Sequence, residues 1–134
     1  MFKRLHLVLL LSALIFIPLI HLNAQEKSNL EVKEILLGTG LENKEVTGVD
    51  TTFSADIGKI YCWTKVTGAT SEVQIAHRWY FEDKEAAKID ITVKYPSYRC
   101  WSIKTIYPEM KGNWKVDIED SAGKLLSSIS FTVK

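Results

Sequence analysis

Between Ala87 and Val93 the chain alternates strictly. Ala87, Ile89, Ile91 and Val93 project one way, and Lys88, Asp90, Thr92 and Lys94 the other. A side-chain period of two marks a strand with one buried face and one wet face. The pattern recurs in Trp114, Val116 and Ile118, which alternate with Lys115, Asp117 and Glu119. Leu125, Ile129, Phe131 and Val133 share a face at the end of the chain, with Ser127 between them. Leu30 to Leu37, Ile57 to Val66, Glu72 to Phe81 and Tyr98 to Ile106 complete a set of about seven short strands, with Val46 to Val49 as a short edge piece. Turn residues separate them: Gly38-Thr39-Gly40, Thr67-Gly68, Glu82-Asp83-Lys84, Tyr95-Pro96-Ser97 and Asp120-Ser121-Ala122-Gly123. No stretch of helical length repeats its apolar residues with a helical period. Turns at intervals of roughly 8 to 12 residues predict an all-β fold, an immunoglobulin-like antiparallel β-sandwich.

The N-terminus reads differently. Lys3 and Arg4 precede an apolar run from Leu5 to Leu22, then Asn23-Ala24 and the polar Gln25-Glu26-Lys27. A basic start, an apolar centre and a small residue before a polar stretch form a secretory signal pattern, with cleavage after Ala24. Pro18 and His21 interrupt the run and disfavour a membrane span. The rival reading is an uncleaved anchor, which would tether the domain to the membrane. Either way the basic end stays in the cytoplasm and the rest faces out, to the periplasm or the extracellular space. No Cys lies near the cleavage point to carry a lipid. Residues 1–24 are thus a signal peptide, 25–50 an N-terminal segment with the first strands, and 51–134 the body of the sandwich. Residues 25–134 form one structural unit.

Removing the leader changes what chemistry is available. It takes two of the 17 basic residues and none of the 16 acidic ones, leaving a chain of near-neutral charge. Phosphate binding needs clustered positive charge, so nucleic acid is not expected as a partner. His6 and His21 leave with the leader, and His77 is the one histidine remaining. A His-rich or Cys-rich metal site is then hard to assemble, and no metal or cofactor is expected. Asp50, Asp56, Asp117, Glu119 and Asp120 lack the ligand spacing of a calcium loop. No nucleophile–base series or phosphate-cradling glycine loop is present.

Several short runs resemble a family of bacterial exported domains of unknown function, DUF2914, from Phe53 to Val133. They are Lys59-Ile60-Tyr61-Cys62-Trp63-Thr64, His77-Arg78-Trp79-Tyr80, Arg99-Cys100-Trp101-Ser102-Ile103-Lys104 and Gly112-Asn113-Trp114-Lys115-Val116, closed by Gly123-Lys124-Leu125-Leu126 and Phe131-Thr132-Val133. His77 and Trp79 match the family's His and Trp two apart. Arg99, Trp101, Ser102 and Lys104 match its later Arg, Trp, Ser and Lys. The resemblance implies an exported β-rich domain and no particular activity.

Cys62 and Cys100, each directly before a Trp, are the only cysteines. An even pair outside the cytoplasm favours a disulfide. Closing about 38 residues would stabilise by about 3–4 kcal/mol in the chain-entropy picture. The alternative is two buried thiols acting as small apolar residues. A catalytic thiol lacks the paired His that would lower its pKa. If Cys62 lies opposite Cys100 on antiparallel strands, Trp63 opposes Arg99 and Tyr61 opposes Trp101. Lys65 and Ile103 extend the same face. Facing outward, this is an aromatic and basic platform; facing inward, it is core with Arg99 at the rim, the expectation favoured by the usual burial of Trp and Tyr. His77 sits on an apolar face with Val73, Ile75, Trp79 and Phe81, as a neutral core histidine would.

The sequence therefore points to an exported, non-enzymatic binding or interaction module, its ligand an envelope glycan or an envelope protein. Its candidate residues are Trp63, Arg99, Trp101 and Lys104, with His77 and Trp79 nearby. The rivals are a small secreted hydrolase or metal-dependent enzyme using His77, and a purely structural domain.

Overall fold

The computed structural model describes residues 29–134. The leader and its cleavage at Ala24 lie outside these residues. Ten strands follow in order: β1 (Glu31–Gly38), β2 (Gly40–Glu42), β3 (Glu45–Thr47), β4 (Thr52–Phe53), β5 (Lys59–Thr67), β6 (Val73–Phe81), β7 (Lys84–Val93), β8 (Ser97–Thr105), β9 (Gly112–Asp120) and β10 (Leu125–Val133). Seven of them are eight residues or longer, and these correspond to the strands that alternation predicts.

The long strands form two sheets. One has the order β1-β5-β8, the other β4-β10-β9-β6-β7. Counted along the chain, the first, second and fifth long strands share a sheet, and the third, fourth, sixth and seventh form the other. All pairings among the long strands are antiparallel. This is the expected sandwich of immunoglobulin-like type. The two inner faces meet in one core that includes Leu37, Ile60, Val66, Ile75, Trp79, Val93, Trp114, Val116, Ile118 and Phe131. Phe131 is its aromatic hub. Trp79 and Phe53 meet it edge-on with ring centroids 6.0 Å away, while Trp114 stacks on it at 5.8 Å.

Two hairpins turn through left-handed residues. Glu82 and Asp83 join β6 to β7 at φ of 47° and 64°, and Asn43 and Lys44 join β2 to β3 at 49° and 64°. Both central residues at positive φ give the turn whose twist matches that of its strands. The second hairpin is new relative to the sequence reading. The expected edge piece from Val46 to Val49 is instead β3, paired with β2 and ending at Thr47; Val49 is exposed.

This hairpin folds back over the outside of β1 and β5. Thr39 N–H donates to Thr47 O at 2.9 Å, and Asp50 N–H to Leu37 O at 3.2 Å. The approach is close enough that a Cβ at Gly38 would collide with Thr47 O and Val46 Cγ2. At β10, a register shift between Leu125 and Ser127 overturns the expected face. The extra residue moves Leu125 into solvent and Leu126 against the core.

Candidate binding face on the three-stranded sheet

β5 and β8 pair over nine residues with no shift: Cys62 opposes Ser102, Trp63 opposes Trp101, Thr64 opposes Cys100 and Lys65 opposes Arg99. The expected pairing of Cys62 with Cys100 is thus displaced by two residues. The parity survives that displacement, so each side chain keeps its face. The partners change, and Trp63 faces Trp101 rather than Arg99.

The displacement also accounts for the cysteines. Cys62 and Cys100 are buried free thiols, which corrects the expected disulfide. They are diagonal neighbours across the ladder. Such pairs sit at about 7–8 Å between Cα atoms, beyond the usual disulfide span of about 4.4–6.8 Å. Burial, and then the neighbouring Cys100, pushes the Cys62 thiol far above the usual range. Burial also raises Cys100, against a contact from Thr64 that lowers it.

The even-numbered positions of β5 and β8 face the core. Here His77, from the opposite sheet, enters a closed polar chain. Trp79 Nε1 donates to Ser102 Oγ at 3.0 Å. Ser102 Oγ lies 2.8 Å from His77 Nδ1, and Thr64 Oγ1 lies 3.2 Å from His77 Nε2. Thr64 Oγ1 in turn lies 3.2 Å from Cys100 Sγ and 3.4 Å from Cys100 O. One arrangement of protons satisfies every group. Ser102, accepting from Trp79, donates to Nδ1; Nε2–H donates to Thr64, whose hydroxyl points to Cys100. A second proton on the ring would leave the Ser102 hydroxyl hydrogen without its acceptor. His77 is fully buried, and burial lowers its pKa from the ordinary 6.5 to about 4. It is neutral, and both its nitrogens are occupied by hydroxyls.

The six candidate residues therefore separate. His77 and Trp79 lie in the core, both at 0% exposure. Lys104 is on the inner side of β8 at the rim, its Nζ 5.9 Å from the centroid of the Trp114 ring. Trp63, Trp101 and Arg99 share the outer face of the three-stranded sheet with Tyr61, Lys65 and Ile103. That face lies outside the inter-sheet core, which corrects the expectation that it points inward, yet Trp63 on it is only 2% exposed. The β2–β3 hairpin covers it, and Trp63 Nε1 donates to Lys44 O at 2.8 Å. Glu45 from the same hairpin pairs with Arg99. The uncovered remainder runs along β8 and the adjoining part of β5: Trp101 and Tyr61 half-buried, Ile103 44% exposed, with Lys65 and Arg99 at one end.

The outer face of the five-stranded sheet is unlike this. Arg78 bridges Glu119 at 3.1 Å and Glu85 at 3.4 Å, and Lys115 lies 3.7 Å from Asp117 and over the Tyr80 ring. Its charges pair with one another. Among the described residues, no group of three or more His, Cys, Asp or Glu side chains is placed to hold a metal ion.

Residues 72–133 match the family model of a protein of unknown function, DUF2914. The resemblance read from the sequence is shown over this segment. The DUF2914 segment spans β6 to β10, and so contains His77, Trp79, Arg99, Trp101 and Lys104. It begins after β5, so the run from Lys59 to Thr64, with Trp63, lies outside it. No curated protein matches the chain.

Lys44 and Glu45 were missed by sequence reasoning. The signal was the polar Glu42-Asn43-Lys44-Glu45 between two short apolar pieces, which the short spacing after Gly40 concealed.

Proposed function

We propose that this chain is an exported, non-enzymatic interaction module of the cell envelope. Its ligand, an envelope glycan or an envelope protein, docks on the outer face of β5 and β8. The observation that carries this reading is the uncovered stripe of Tyr61, Trp101 and Ile103, flanked by Lys65 and Arg99. Aromatic faces stack on sugar rings or apolar side chains, and the cations hold polar or anionic groups. Export rests on the basic start, apolar run and Ala24 of the leader.

A hydrolytic or metal-dependent role for His77 would need an imidazole open to substrate, with an orienting partner. His77 is instead held between Ser102 and Thr64 inside the sandwich. This arrangement favours the binding reading over the enzymatic one.

The test is recovery of envelope glycan and protein on the immobilised chain, wild type against Trp101→Ala with Ile103→Ala. Both positions face out, so the variant keeps the core. The reading predicts a loss of at least tenfold. Equal recovery by a folded variant contradicts it and leaves a structural role.

A further inference from the structure

Among the described strands the two sheets end on β1 and β8 and on β7 and β4, and β4 covers only Thr132 and Val133 of β10, whose remaining edge is bulged between Leu125 and Ser127. β7 carries exposed charges of both signs, Lys84, Glu85, Lys88 and Asp90, and a bulge opposite the Trp79–Tyr80 step. β1 is bulged between Val32 and Glu34. β4 is two residues long. Short length, charged side chains, inward-pointing charges and bulges are among the means by which sheets avoid unwanted partners.

β8 is neither short nor bulged, and its guards are two cations, Arg99 facing out and Lys104 facing in. It runs for nine residues in unbroken register with β5, and no described strand pairs with its other side. Its inward charge, Lys104, is drawn over Trp114 at the rim. Its outward side chains include Trp101 and the exposed Ile103.

The charges carried by β8 and its flanks have one sign, although Glu45 of the hairpin already pairs with one of them. From Ile91 to Pro108 the chain holds Lys94, Arg99 and Lys104 and no carboxylate. Glu45 engages Arg99 through Nη1, one of the nitrogens of a planar fork with five donor hydrogens. An antiparallel second copy of β8 would add a second cationic strand that carries no carboxylate. An acidic strand would meet complementary charge.

We infer that the open edge of β8 receives an extended, acidic segment of a partner polypeptide, added as a fourth strand beside β8. This rests on the binding-face reading above and narrows it to a protein ligand. Main-chain hydrogen bonds supply affinity, and alternate side chains supply specificity. The outward side chains of the added strand would lie flush with Trp101 and Ile103 and extend the stripe. Its carboxylates would lie within reach of Arg99.

The test uses the purified protein and a fluorescent nine-residue peptide alternating Glu with Val and Thr. Parallel probes replace Glu by Lys or place Pro at the centre, and a fourth is polygalacturonate as an anionic glycan. Expected are saturable binding of the Glu peptide at least tenfold tighter than the Lys peptide, and a similar loss with the central Pro. Ile103→Glu should weaken it at least tenfold while melting at the wild-type temperature.

Four results would overturn the inference: no saturable binding of the Glu peptide, indifference to the central Pro, a stable dimer sealed along β8 in the protein alone, or polygalacturonate as the sole ligand sensitive to Ile103→Glu. If the peptide fails while Trp101→Ala with Ile103→Ala still lowers envelope recovery, the strand inference falls and the binding face stands.

Discussion

Trp63 on β5 and Lys44 at the tip of the β2–β3 hairpin are joined by a single hydrogen bond, from the indole Nε1 to the Lys44 carbonyl oxygen at 2.8 Å. An outward-facing tryptophan is thereby turned into a buried one by a hairpin of the same chain. Trp63→Phe keeps most of the apolar contact and loses the donor. The expected cost is about 1–2 kcal/mol by denaturant unfolding, since one hydrogen bond is worth about 0.5–1.5 kcal/mol and the ring is smaller.

The hairpin's seat can be disturbed separately. Gly38→Ala puts a methyl against Thr47 O and Val46 Cγ2. The hairpin should lift while the sandwich, whose core lies on the other side of the sheet, stays folded. Acrylamide should then quench tryptophan fluorescence more strongly than in wild type. Unchanged quenching would show that the hairpin is not held by this close approach.

His77 makes stability depend on pH. Its folded pKa is about 4 against an ordinary 6.5. Between these values the unfolded chain binds a proton that the folded chain does not, so stability falls as pH falls through this window. It is fully present above about pH 6.5 and levels off below about pH 4, a loss on the order of 3 kcal/mol at 1.36 kcal/mol per unit. Urea midpoints measured from pH 7 to 4 should show this slope, and His77→Phe should remove its share of it.

Ser102→Ala strands two buried groups, Trp79 Nε1 and His77 Nδ1. Each buried group left unsatisfied costs about 1–3 kcal/mol. The exposed Ser130→Ala should stay within about 0.5 kcal/mol of wild type. Equal melting temperatures for the two variants would contradict the polar chain drawn through His77.

The thiols give a further check. Buried and held protonated, Cys62 and Cys100 should both resist iodoacetamide in the native protein at pH 8 and both react in urea. The intact mass should not change on reduction. A gain of two hydrogens on reduction would mean that the strands slide to bond them.

Much of this architecture is legible in the sequence because alternation fixes faces. Ala87 to Val93 and Trp114 to Ile118 could be assigned to strands from the residues alone. Register is set differently. Moving β8 by two residues against β5 leaves every face unchanged, so no pattern of apolar and polar residues distinguishes Trp63 opposite Arg99 from Trp63 opposite Trp101. The disulfide expectation failed on that same freedom. Leu125 faces solvent, against the alternation, because a bulge adds a residue without altering composition. Burial of Trp63 depends on a hairpin 19 residues upstream, a contact that strand periodicity does not encode.

Hydrogen exchange of the protein, free and loaded with envelope extract, tests whether ligand docks along β5 and β8 as proposed. Amides of Ser97–Thr105 should exchange at least tenfold more slowly in the loaded protein, while Ser128, Ser130 and Thr132 on the opposite face should not change. Protection of the opposite face with β8 unaltered would contradict that docking.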